Sequence, residues 1–518
     1  MLDREAVIAW YRRNRERTRM LFDLVAGGGA EGDGAYYKRP IALRHPIVFY
    51  EGHLPAFSFN TLVKKGLGGP SIDARLEALF ARGIDPHEAA GPPEGGPHVS
   101  DGGPRDKDDR AGWPSRAEVH AFAAEADRRV LDALCRADLE RPGHPLLDRA
   151  EAVFTILEHE AMHQETLLYM WHRLPFGDKH RPQADKADLI RSAPLLPGQE
   201  WVEIPGGRAT LGVDRDELIF GWDNEFPRHV AEVAAFSIER LNVTNAQFLE
   251  FVDAGGYTDR RWWREEDWNW IQNEQIAHPL FWEHGDGSDG RTEGLRHNNT
   301  SGWSWRGMFD RFPLPLSWPV YVSHAEAAAY ARWRHARLPT EAEYQRAAYG
   351  SPDGERPYPW GSDPPSNEHG VFDRLRASGA SAFAKAPADR RSLGGGWSAS
   401  LAGARDQVAR AETDFSSYDP EPAGSHPAGR SAWGVDDLVG NGWEWTSTVF
   451  GPFPGFRAMA SYPEYSADFF DGEHMVLKGA SPVTAAELLR PTFRNWFRRR
   501  YPYVYATFRC VRERSARS

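Results

Sequence analysis

The residues best placed to do chemistry in this sequence lie in Glu158-His159-Glu160-Ala161-Met162-His163-Gln164-Glu165. Residues four apart on a helix project from one face, so His159 and His163 can offer two imidazole nitrogens to one metal ion. With Glu160 between them the segment reads literally as HExxH, the spacing of zinc hydrolases that hold a metal and a glutamate base together. The flanking Val153, Ile156, Leu157, Leu167 and Leu168 place both rings near a core, where unpaired polar groups are costly. Glu165, two residues further on, is either an outer group that orients a ligand imidazole or a solvated carboxylate.

A third ligand is needed. In Tyr50-Glu51-Gly52-His53-Leu54-Pro55-Ala56-Phe57, His53 sits in an aromatic and apolar setting. His45 is the weaker candidate, because it precedes Pro46 at a helix start. Ligands drawn from facing helices are the usual way to build a site inside a bundle. Three neutral imidazoles with open positions suit Fe(II), Zn or Cu, and the residues alone leave all three open.

The elements that must position these side chains are helical. Arg4 to Val25 carries Val7, Trp10, Tyr11, Leu21 and Phe22 at helical spacing. Pro46 to Leu67 predicts a second helix. Ser115 to Leu139 predicts a third, with Pro114 and Ser115 as its start signal. Pro145 to Leu174 predicts a fourth, closed by Pro175. Four long helices in succession point to a four-helix bundle over residues 1–190. Gly91 to Gly112, rich in Gly, Pro and Asp, reads as a disordered loop. From about residue 196 to 515 the texture changes to scattered Gly, Pro, Trp and Asp with short β-like runs such as Trp201-Val202-Glu203-Ile204. One clear helix interrupts it, Ser323 to Trp333, with Ser323 as N-cap and Glu326 at the capping-box position. The expected fold class is α+β and multidomain.

At 518 residues, with 41% hydrophobic and 26% charged residues, the chain reads as a globular protein of at least two domains. A net charge of −12 argues against a nucleic-acid partner. No run approaches the roughly 18 apolar residues of a membrane span, and the N-terminal residues show no signal-peptide core, so a cytoplasmic enzyme is expected. Two cysteines, Cys135 and Cys510, exclude a disulfide framework and a cysteine-rich zinc site, leaving the 19 histidines as the place to look for ligands. The 20 tryptophans read mostly as packing residues, some of them suited to a flat or sugar-like ligand.

Together, the HxxxHxE pattern of His159, His163 and Glu165 and the GHLPAF segment around His53 resemble the ergothioneine-type sulfoxide synthases. That family joins a DinB-like four-helix bundle to a domain like the formylglycine-generating enzyme, a C-type-lectin-like fold. The second half resembles it in Asp223-Asn224-Glu225-Phe226-Pro227, Val243-Thr244-Asn245 and Phe251 to Tyr257, and again in Arg337 to Glu343 and Gly440 to Thr446. Pro454-Gly455-Phe456-Arg457, Tyr462 to Ser466 and Thr492-Phe493-Arg494-Asn495-Trp496 are similar to the ergothioneine branch in particular. A formylglycine-generating enzyme itself is disfavoured, because its copper chemistry uses a cysteine pair and this domain holds only Cys510.

The resemblance implies a non-heme Fe(II) enzyme that uses O2 to join sulfur or selenium to C2 of the imidazole of N-alpha-trimethylhistidine (hercynine). His53, His159 and His163 would hold the iron. Tyr462 matches the family's catalytic tyrosine, a proton donor; an ordinary phenol titrates near about 10 and keeps its proton at neutral pH. Tyr465 matches a pocket tyrosine. Asn495 and Trp496 match positions that hold the betaine, through an amide donor to its carboxylate and an aromatic face for its quaternary ammonium.

Three positions depart from the pattern. Members that use gamma-glutamylcysteine carry Asp and Arg where this chain has Phe497 and Tyr501, so a zwitterionic peptide would lose its charged anchors. Met162 replaces a glutamine on the betaine side. Aromatic rings suit a sugar better, and HEAMHQETLLYMWHRLP looks like the selenoneine synthases, which use a selenosugar. The expected order is therefore selenoneine synthase, then ergothioneine synthase using cysteine or gamma-glutamylcysteine, then an ovothiol-type synthase. A zinc hydrolase built on His159, Glu160 and His163 and a silent lectin-like binding module are the alternatives from other classes. The charged runs Asp106 to Arg110 and Arg498 to Arg500 read as solvated. Oligomeric state is left open.

Overall fold

A computed structural model describes residues 2–25, 34–81, 112–182, 200–284, 302–372 and 418–513. The described chain divides into two compact units. One holds residues 2–182 together with 460–462, and the other holds the rest. The expected disordered loop, Gly91 to Gly112, lies outside the described residues except for Gly112, and with it lies the charged run 106–110.

The first unit contains α1 (Arg4–Asp23), α2 (Ile47–Ser58), α3 (Ala74–Leu79), α4 (Arg116–Arg136) and α5 (Glu151–Arg173). α1 starts where the Asp3 carboxylate accepts from the Ala6 amide at 3.1 Å, satisfying one orphan donor of the first turn. It buries Val7, Trp10, Tyr11, Thr18, Leu21 and Phe22 along one stripe. α4 starts at Ser115, whose hydroxyl accepts from the Glu118 amide at 3.3 Å. α1 packs against α4 and α5, and α2 packs against the same pair, which closes a four-helix bundle. α5 is buried on almost every side, so it is the central element.

Helix ends differ from expectation, most of all in α5 and after α2. α5 begins at Glu151 and not at Pro145, because Arg149 and Ala150 take left-handed backbone angles, both with φ of 55°, and break the run. The second helix keeps α geometry only to Ser58. Phe59–Gly66 then winds as a π-helix, downstream of Pro55, which has no amide to give. The short α3, absent from the sequence reading, is capped by Asp73, which accepts from Arg75 N at 2.9 Å and Leu76 N at 3.0 Å.

The second unit combines short strands with helices α6 (Asn245–Asp253), α7 (Glu265–Asn273), α8 (His324–Trp333), α9 (Glu341–Tyr349) and α10 (Glu464–Ala467). Its strands are β1 (Trp201–Ile204), β2 (Gly207–Leu211), β3 (His229–Val233), β4 (Phe236–Glu239), β5 (Trp282–His284), β6 (Trp303–Arg306), β7 (Arg311–Pro313), β8 (Gly350–Ser351), β9 (Gly354–Glu355), β10 (Gly442–Val449), β11 (His474–Ala480), β12 (Asn495–Arg498), β13 (Ala506–Thr507) and β14 (Val511–Glu513). The sheets run in the orders β1-β4-β14, β12-β11-β10-β13, β2-β3, β5-β6-β7 and β8-β9. Ile204, Phe236, Ile238, Tyr344, Leu438 and Val511 belong to one buried cluster.

α8 forms as expected, with Ser323 and Glu326 completing a capping box. The reading that only this helix interrupts the region is corrected by α6, α7 and α9. Two of the three start with capping boxes of their own, Thr244 with Gln247 and Thr340 with Glu343.

Buried ion pairs anchor several of the sequence segments quoted from this half. Glu225 takes two donors of Arg490, at 2.8 and 2.5 Å. Glu341 takes Arg494 at 2.8 and 3.1 Å. Glu444 takes Arg509 at 2.7 and 2.6 Å. Such forked guanidinium–carboxylate contacts fix geometry as well as charge, and in a unit of short strands they hold the loops in register.

Candidate metal centre

His53 projects from the middle of α2, and His159 and His163 from one face of α5, four residues apart. One ring nitrogen of each lies within 4.8 Å of those of the other two. His53 Nε2 lies 3.3 Å from His159 Nε2. Two nitrogens bound to one ion at metal–nitrogen distances of about 2.1 Å stand roughly 3.0–3.4 Å apart, so the spacing fits shared ligation. His53 and His159 are buried, and His163 is half-buried.

Burial pushes His53 down to about 4 and pushes His159 and His163 well below the ordinary imidazole value, with the neighbouring rings adding to the effect on the last two. The three rings are therefore neutral at physiological pH and keep the lone pairs a metal needs. The buried Nδ1 atoms of His159 and His163 have no hydrogen-bond partner among the described residues. Donor set, spacing and neutrality all fit a divalent transition metal. His45 stacks on Phe49 at 4.0 Å between ring centroids and is not one of the three.

Aromatic rings fix the ligands in place. Phe49 stacks on His53 at 5.0 Å, and Phe57 lies flat on His159 at 3.5 Å. Tyr462 joins this group, with its ring centroid 5.1 Å from Phe57 and 6.1 Å from His159. Its neighbour Ser461 bonds to the Thr155 hydroxyl and the Glu151 carboxylate, both at 2.9 Å, which anchors the segment on α5. The sequence pattern assigns Phe57 no role, although it stands four residues after His53 and so on the same helix face.

Glu160 points elsewhere. Its Oε1 accepts from Arg15 at 2.8 Å and from Thr18 at 2.6 Å, both on α1. Burial pushes its carboxyl up against the pull of Arg15. A carboxylate engaged in an ion pair with another helix is not placed as the general base that an HExxH hydrolase requires. Met162 and Glu165 are half-buried on α5.

In the second unit, Asn495, Trp496 and Phe497 lie on β12, paired with Leu477, Val476 and Met475 of β11. Successive strand residues face opposite sides. Trp496 stacks on Phe450 at 4.3 Å and meets the edge of Tyr465 at 5.0 Å. Tyr465 itself stacks on Trp222 at 3.9 Å. On the other face, Phe497 stacks with Tyr501, 5.4 Å apart and 5° from parallel. Asn495 shares that face, and its Oδ1 accepts from the Trp496 amide at 2.9 Å, which uses the oxygen and not the NH2 donors. The structure thus groups Trp496 with Tyr465, and Phe497 with Tyr501.

Both cysteines are free thiols, Cys135 exposed and Cys510 buried. Among the described residues no helix is long and apolar enough to cross a membrane.

Comparison with known proteins agrees with both halves. Residues 186–514 match the sulfatase-modifying factor enzyme 1-like domain, and residues 11–167 match the DinB superfamily. A protein named hercynine oxygenase from Mycobacterium tuberculosis is 33% identical over 402 residues, covering 77% of this chain and 77% of its own length. Ergothioneine biosynthesis protein 1 of Neurospora crassa is 29% identical over 517 residues, covering 92% of this chain and 55% of that protein. The formylglycine-generating enzyme of Mycobacterium tuberculosis is 28% identical, over 60% of this chain. With a DinB-type bundle, a sulfatase-modifying-factor-like domain and relatives of this identity and coverage, the chain belongs to the ergothioneine-type sulfoxide synthase family.

Proposed function

We propose that this protein is an O2-dependent non-heme iron enzyme of the cytoplasm that forms a C–Se bond at imidazole C2 of hercynine, with a selenosugar as donor. The observation that carries the reading is the convergence of His53, His159 and His163, three neutral imidazoles with ligand atoms within 4.8 Å of one another. Fe(II) bound there would supply one-electron redox chemistry, which zinc lacks.

The chain's own residues do the rest. Phe57 and Phe49 hold two of the imidazoles in fixed planes. Tyr462, next to Phe57, is the proton donor. Asn495 donates to the carboxylate of hercynine, and Trp496 and Tyr465 offer aromatic faces to its quaternary ammonium. Met162 takes the betaine side, where its thioether replaces an amide. The donor assignment is supported by the stacked pair Phe497 and Tyr501, uncharged rings at the two positions where peptide-using relatives carry charges. Sulfur donors, cysteine or gamma-glutamylcysteine, are the second reading, favoured by the names of the relatives.

The test is aerobic incubation of the Fe(II)-loaded chain with hercynine and equal amounts of selenosugar, cysteine and gamma-glutamylcysteine, with adducts read by mass spectrometry. The selenium adduct should dominate, and His53→Ala should abolish it. A preference for gamma-glutamylcysteine would replace the donor assignment, and the absence of every adduct would remove the functional reading.

A further inference from the structure

We propose that Phe80 is a positioning residue for the metal centre: its main-chain carbonyl selects which nitrogen of His53 faces the ion, and Gly52 is glycine to admit it. The inference rests on the metal reading above.

His53 Nδ1 lies 2.8 Å from the carbonyl oxygen of Phe80. A carbonyl can only accept, so the proton sits on Nδ1 and the lone pair on Nε2. Nε2 is also the atom that stands 3.3 Å from His159 Nε2. A ligand imidazole whose second nitrogen donates to a carbonyl is held in one tautomer and one orientation, and is made more basic. Among the described residues no partner reaches Nδ1 of His159 or His163, so this restraint falls on His53.

For that carbonyl to arrive, the end of α3 must press against α2 at Gly52. A Cβ at Gly52 would stand 2.4 Å from two atoms of the Phe80 ring, well inside contact distance. The ring is fully buried, with Phe49 and Phe122 at 6.2 and 6.1 Å between centroids. The segment leading to it is pinned by Glu77, whose carboxylate accepts from Ser71 Oγ at 2.7 Å, Ile72 N at 2.6 Å and Asp73 N at 3.1 Å. Lys64, on the π-helical turn that continues α2, pairs with the same carboxylate. The helix that carries the ligand and the segment that orients it are thereby fastened together at two points.

The test uses the full apo chain titrated with cobalt(II), read by the ligand-field absorption of the bound ion. Gly52→Ala should weaken cobalt binding by about 10–100-fold, the usual loss when an outer hydrogen bond to a ligand is broken. Phe80→Ala keeps the carbonyl and makes room, so Gly52→Ala/Phe80→Ala should recover the affinity of Phe80→Ala alone. Wild-type affinity in Gly52→Ala, alongside lost binding in His53→Ala, overturns the inference. Wild-type affinity in His53→Ala means that the metal reading has failed instead. A folding defect in Gly52→Ala does not end the test: in the wild-type chain loaded with zinc and labelled with 15N-histidine, His53 should show a protonated Nδ1 and a metallated Nε2. A metallated Nδ1 overturns the proposal.

Discussion

Phe57 lies face to face with His159, ring centroids 3.5 Å apart and planes 9° from parallel. The two residues come from different helices, α2 and α5, so the contact couples helix packing to the orientation of a ligand ring. A side chain that stays apolar but loses the flat face separates the two contributions. Phe57→Leu should cost about 1 kcal/mol of stability, the value of an aromatic pair beyond its buried area, and should weaken metal binding as well. Denaturant unfolding and cobalt titration of the same sample measure both. Loss of stability with unchanged affinity would reduce Phe57 to a packing residue.

Glu160 separates this protein from a hydrolase that shares its HExxH spacing. Its partner Arg15 is 12% exposed and Glu160 is fully buried, so Glu160→Gln breaks a buried ion pair. The expected stability loss is on the order of 3 kcal/mol, with metal content unchanged. Elemental analysis beside a thermal melt checks it. A variant that melts like the wild type while losing all activity would instead restore Glu160 as a base.

Glu77 should shape the acid limb of the stability curve. Burial alone would raise its carboxyl, but Lys64, Ser71 and the amides of Ile72 and Asp73 outweigh it and hold it at about 2. A folded-state value below the unfolded one of about 4.3 gives stability that is fully present above that pH and is lost as the pH falls through about 2. Glu77→Gln should therefore be less stable at neutral pH, and its unfolding free energy should approach that of the wild type toward pH 2. Urea unfolding across the acid range tests this, and two parallel curves would contradict it.

In the second unit, Arg494 and Glu341 are both about 3% exposed and joined by two bonds. Arg494 also donates to the carbonyl of Gly451 at 3.0 Å. Arg494→Met leaves Glu341 buried without its cation, for an expected loss of about 3–5 kcal/mol. Arg498→Met, at an exposed position four residues further on, should stay within about 0.5 kcal/mol. Calorimetry on the pair of variants measures the contrast; equal melting would show that the buried fork contributes nothing.

Much of the frame is a local property of the sequence. The stripes of α1 and α4, the starts at Asp3 and Ser115 and the capping box at Ser323 follow from neighbours a few residues apart, where propensity and hydrogen bonding act without help from the rest of the chain. The four-residue spacing of His159 and His163 is of the same kind. α6 and α9 could also have been read locally, from the capping boxes at Thr244 and Thr340. They were hidden by the surrounding Gly, Pro and Trp residues, which weaken the apolar periodicity. The π-helical turn after Pro55 and the left-handed residues before α5 had no comparable local mark.

By itself the sequence determined which residue types can bind a metal, which helices carry them and to which family the motifs point. Tertiary structure alone decided that His53 comes within 3.3 Å of a ring 106 positions away, that Glu160 turns to Arg15, and that Phe80 reaches across Gly52 to the far side of His53. The physical reason is range. Helix formation and capping depend on contacts a turn apart, whereas these three choices are made by close packing between segments whose encounter no local pattern encodes.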